Sequence, residues 1–77
     1  MDTSGKMKQL FRGCFNYSRE VHILYRYAYT KRQAWKVMCD ALADKHGVKP
    51  RYVYGLFDGQ LPNFEITIEL EVRENEN

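Results

Sequence analysis

The chain has 77 residues, with twelve basic and ten acidic side chains and a formal net charge of +2. That length builds one hydrophobic core and no second one. At 44% hydrophobic and 29% charged, with five Gly and two Pro, the composition excludes disordered, collagenous and coiled-coil classes. No run approaches the roughly 18 apolar residues of a membrane helix.

The charge is unevenly spread. Residues 1–59 carry a net +6, whereas residues 60–77 set Arg73 against five glutamates for a net −4. Met1–Lys6 is polar and lacks the apolar stretch of a secretory signal. Residues 1–6 are expected to be a flexible N-terminus, 7–72 a single domain, and 73–77 a flexible acidic tail.

A first strand, Met7–Asn16, sets Met7, Phe11, Gly13 and Phe15 on one face, with Lys8, Leu10, Arg12 and Cys14 on the other. A short turn around Asn16-Tyr17-Ser18-Arg19 leads to a second strand, Arg19–Tyr29, whose Val21, Ile23, Tyr25, Tyr27 and Tyr29 share one side. Their hydrophobicity predicts that this side lies under a helix, with Arg26 turned to the open face.

Thr30-Lys31-Arg32-Gln33 is a capping box, the Thr hydroxyl serving the Gln33 amide and the Gln33 side chain reaching back to Thr30. Ala34, Val37, Met38, Ala41 and Leu42 then recur at helical spacing. Lys45 and His46 suit a helix C-terminus, and Gly47 followed by Pro50 stops it. The predicted helix is Lys31–His46.

Tyr52, Tyr54 and Leu56 alternate with Val53, Gly55 and Phe57, predicting a third strand at Arg51–Phe57. Asp58-Gly59 opens a turn. Phe64, Ile66, Ile68 and Leu70 then alternate with Glu65, Thr67 and Glu69, the clearest strand signature in the chain. The expected fold is α+β: two-layer ββαββ, with a four-stranded, mainly antiparallel sheet and the one helix packed on one face.

No nucleophile elbow, phosphate-binding glycine loop or dinucleotide motif is present, and His22 and His46 are not brought together by any sequence spacing. The chain is therefore expected to be non-catalytic and to need no cofactor. Cys14 and Cys39, even with His22 and His46, match no zinc or disulfide spacing, so both cysteines are expected to be reduced, as in a cytoplasmic protein, with no metal.

Eleven aromatics are more than one helix of small side chains can cover, and Tyr, Trp and Arg are enriched at interface hot spots. The favoured expectation is a protein-binding module, an adaptor, an inhibitor or a homodimer. Its surface would be the open sheet face with Tyr52, Tyr54, Leu56, Asp58, Arg12 and Arg26. The alternative is a nucleic-acid-associated protein using Lys31, Arg32, Trp35 and Lys36, where cations interleave with an aromatic. Against that alternative, Glu65, Glu69 and Glu71 on the open face would pair with Lys8, Arg12 and Arg26 and spend the basic surplus within the sheet.

Overall fold

The computed structural model describes residues 8–71. Expectations for residues 1–7 and 72–77 lie outside the described residues. The elements run β1 (Gln9–Tyr17), β2 (Glu20–Ala28), α1 (Lys31–His46), α2 (Pro50–Leu56) and β3 (Phe64–Glu71). The fold is α+β, a three-stranded antiparallel sheet of order β2-β1-β3 with both helices on one face.

The expected third strand is instead the helix α2, so the sheet has three strands and the order is ββααβ. Pro50 starts a second helix, occupying the first turn of α2, where its missing N–H costs nothing. Val53 and Phe57, four positions apart, are both buried. The β-preference of Tyr-Val-Tyr yields to this tertiary packing.

The hairpin turns on Ser18 and Arg19, at φ 54° and 66°, the two positive values that a tight two-residue turn needs to match strand twist. Tyr17 therefore pairs with Glu20, Phe15 with His22, Phe11 with Arg26 and Arg12 with Tyr25. Directly opposed residues share a face. Phe11, Gly13 and Phe15 face the helices together with His22, Leu24, Arg26 and Ala28, which sends Val21, Ile23, Tyr25 and Tyr27 to the open face. The expectation that these tyrosines are covered is thus reversed, and so is the placing of Arg26 on the open face.

In α1, Thr30 accepts from the Gln33 N–H at 3.0 Å, while the Gln33 side chain accepts from Tyr29 N–H at 2.7 Å rather than from Thr30. Gly47 closes the helix at φ 67°, with Val48 N–H bonded to the Ala43 carbonyl at 3.0 Å, a left-handed stop of the Schellman type. The buried face is Ala34, Met38, Cys39, Leu42 and Ala43. Val37, expected in that stripe, is exposed.

Phe15, Phe57 and Phe64 form the aromatic centre of the core. The Phe15 ring meets Phe57 edge-on at 4.9 Å and stacks on Phe64 at 5.5 Å. Trp35 Nε1 donates to the Phe57 carbonyl and Asn63 Nδ2 to the Leu56 carbonyl, each at 2.8 Å, pinning the end of α2. Among the described residues no helix is long and apolar enough to cross a membrane.

Candidate functional site

The face of the sheet opposite the helices carries a run of exposed apolar and aromatic side chains. On β2 it presents Val21 (61% exposed), Ile23 (48%), Tyr25 (47%) and Tyr27 (56%) in an unbroken row. Their partners on β1 are Asn16, Cys14, Arg12 and Leu10 in that order. On the far side, β3 brings Thr67 opposite Arg12 and Glu65 opposite Cys14. A shallow hollow of about 440 Å³ at one end is lined by Cys14, Asn16, Val21, Pro62, Asn63, Phe64 and Glu65.

The expected network of charges across this face is not what the sheet holds. Arg12 lies beside Thr67, and Arg26 lies on the other face, its guanidinium donating to the Tyr25 carbonyl at 2.8 Å. Among the described residues Lys36 pairs with Asp40 at 3.1 Å and the His22 imidazole lies 3.8 Å from the Glu20 carboxylate, neither across the open face. The apolar row on β2 is left beside Arg12 and Glu65, with Lys8 just beyond its end, the ammonium 5.7 Å from the centre of the Tyr29 ring.

The residues expected on a third strand are dispersed by α2. Tyr52 is exposed on its solvent side, Leu56 packs half-buried against the core, and Asp58 sits in the loop beyond, accepting from Gln60 N–H at 3.0 Å. Tyr54 is turned inward, its hydroxyl donating to the Asp40 carboxylate. This bond is the first cause of the low pKa of Asp40, and Lys36 adds to it. It is also the first cause of the raised pKa of Tyr54. Of the protein-binding residues expected from sequence, only Arg12 lies on the open face.

The residues expected for nucleic acid do come together. Arg32, Trp35 and Lys36 line one cleft of about 590 Å³ with Tyr54, and Lys31 joins Arg32 and Trp35 in a neighbouring groove of about 600 Å³. The Trp35 and Tyr54 rings lie 5.3 Å apart, tilted by 33°. Both aromatics are committed to the fold, Trp35 through Phe57 and Tyr54 through Asp40.

One cluster was invisible in the sequence. His22 on β2 and His46 at the end of α1 meet with ring centroids 5.2 Å apart, and Tyr17 lies 4.5 Å from His46. The Nε2 atoms of both histidines are buried without a hydrogen-bond partner. Only the hairpin register, which puts even-numbered β2 residues under α1, joins them. Among the described residues no group of three or more His, Cys, Asp or Glu is placed to hold a metal ion.

Cys14 and Cys39 are both free. Burial pushes the Cys39 thiol up to about 12, which leaves it an inert core residue. No protein-family model matches the chain, and no curated protein or solved structure matches it.

Proposed function

We propose that the protein is a small non-catalytic protein-binding module that recognises its partner through the open sheet face, centred on Val21, Ile23, Tyr25 and Tyr27. The observation that carries this reading is the row itself: four adjacent large apolar or aromatic side chains on one strand, each about half exposed. Contiguous patches of this kind mark interaction surfaces, whereas scattered exposed apolar residues are ordinary. Tyrosine brings apolar area and a hydrogen-bonding tip at little entropic cost, and Arg12 beside Tyr25 adds a hot-spot cation.

The test is affinity capture from native lysate by wild type, by a Tyr25→Ala/Tyr27→Ala variant and by a Tyr52→Ala control on α2. Loss of the captured protein in the face variant alone, with unfolding midpoints unchanged, supports the reading. Equal capture by all three contradicts it.

The second reading is nucleic-acid association through the Arg32, Trp35, Lys36 and Lys31 surface, favoured by their convergence along one side of α1. It ranks second because Lys36 is already matched by Asp40. Binding of single strands that falls steeply with salt and is abolished by Lys31→Glu/Arg32→Glu would promote it above the first.

A further inference from the structure

Among the described residues the open face ends at a strand edge with no neighbour, and we propose that this edge of β2 pairs antiparallel with the same strand of a second copy of this chain, Ile23 lying on the two-fold axis. The inference rests on the protein-binding reading and names one partner for that surface.

Tyr17 and Glu20 close a two-residue turn, so Glu20, His22, Leu24, Arg26 and Ala28 direct their N–H and C=O groups to β1. The groups of Val21, Ile23, Tyr25 and Tyr27 point away from the sheet. The Arg26 guanidinium, 2.8 Å from the Tyr25 carbonyl, occupies one of these outward acceptors.

The two edges of the sheet are built differently. Along β3, Glu65 and Glu69 are exposed and the register with β1 breaks between Leu10 and Phe11. Charge and irregularity of this kind keep an edge from pairing. Along β2 the register is unbroken over nine residues, without proline. Its outward backbone positions are all β-branched or aromatic, the types that pack best across strands.

Charge complementarity then selects the register. Outward groups can meet only odd position to odd position, so possible alignments differ by two residues along the partner strand. With Ile23 opposite itself, Val21 meets Tyr25 of the other copy and Glu20 meets Arg26, each twice by symmetry. With Leu24 opposite itself, His22 faces Arg26 and Glu20 faces Ala28, and both ionic matches are lost. In the Ile23 register the Val21 N–H takes over the Tyr25 carbonyl, which frees the Arg26 guanidinium for the exposed Glu20. Two three-stranded sheets become one of six strands, and the two apolar rows lie side by side.

Sedimentation of the full chain across a concentration series tests this, together with mild oxidation of cysteine variants in a Cys14→Ser background. A monomer–dimer equilibrium is expected below about 500 µM. Ile23→Cys should cross-link between copies, because directly opposed residues of a hydrogen-bonded pair sit at about 5.5 Å, within disulfide reach, and Leu24→Cys should not. Glu20→Arg and Arg26→Glu should each weaken dimerisation about tenfold, and the double swap should restore it. A chain that stays monomeric, cross-links at Leu24 instead, or grows into open-ended oligomers overturns the proposal. A monomer whose Tyr25→Ala/Tyr27→Ala variant still loses a captured protein would refute self-pairing and leave the binding face standing. A dimer formed as described would stand even if the lysate yielded no further partner.

Discussion

Gly13 sits in the central strand where a Cβ atom would fall onto the Met38 sulfur and within 2.7 Å of Phe15 Cε1. The absent side chain lets α1 approach the sheet. Gly13→Ala is expected to cost about 1–3 kcal/mol, the range for overpacking, read from urea unfolding. An unchanged midpoint would mean that the helix rides higher than described. Asp40 is bonded by both Tyr54 and Lys36. Its carboxyl is held below the usual carboxylate range by the Tyr54 hydroxyl first and Lys36 next, against a partial opposing effect of desolvation. Such a group adds stability above its unfolded value near 3.9, and that stability is lost as pH falls through the lower folded pKa. Tyr54 and Lys36 are both raised, with the Asp40 hydrogen bond as first cause, so their share is present below their unfolded values and disappears as pH rises through the folded ones. Asp40→Asn should therefore lose less of its Tm than wild type on acidification from about pH 5 to about pH 2. Equal losses would show that the carboxylate is idle.

At the scale of elements, α2 turns on one distinction. In a helix, Val53 and Phe57 point the same way into the core and Tyr52 faces solvent. Phe57→Ala is expected to cost about 3–5 kcal/mol and Tyr52→Ala to stay within about 0.5 kcal/mol, both by denaturant unfolding; a Tyr52 cost matching that of Phe57 would contradict the helix. α1 was legible in the sequence because its signals are local: the Thr30 cap, the apolar spacing and Gly47 lie within the element they describe. The start of β3 was legible for the same reason, with Phe64 and Ile66 paired to the helix-side positions Phe15 and Gly13 and Glu65 and Thr67 to the open-face positions Cys14 and Arg12. The register shift between Leu10 and Phe11 breaks the expected alternation beyond Ile68, so Glu71 pairs with Gln9 and Leu70 with Leu10. Two features were not. The segment Arg51–Phe57 alternates like a strand, and only burial of Val53, together with packing of Phe57 against Phe15 and Phe64, makes it helical. The faces of β2 depend on the parity of the hairpin: a two-residue turn opposes odd β1 positions to even β2 positions. Hydrophobicity alone places Val21 and the tyrosines inside, yet the register, anchored by buried Phe11 and Phe15, places them outside. The conflict between pattern and register falls on the strand proposed as the binding surface, where local and global demands are expected to part.

For the whole molecule, the small net charge is not the product of pairing within one sheet face. Arg12 lies between Tyr25 and Thr67, Arg26 faces the helix side, and the Lys36–Asp40 pair belongs to α1. The basic surplus is carried largely by the exposed side of the helices, at Lys31, Arg32, Lys45, Lys49 and Arg51, while the open sheet face is apolar along one edge. The molecule thus has a charged back, and the open-face row of β2, Val21, Ile23, Tyr25 and Tyr27, carries no charge of its own, which favours protein over polyanion as the occupant of that row. Amide hydrogen exchange along β2, followed as chain concentration rises, tests this most directly. The amides of His22, Leu24 and Arg26, bonded to β1, should be protected at every concentration. Those of Val21, Ile23, Tyr25 and Tyr27 should exchange freely in dilute solution and gain protection together as copies pair. Amides at 21, 23, 25 and 27 that stay fast at all concentrations, or that are protected even when dilute, would contradict β2 as the interaction strand.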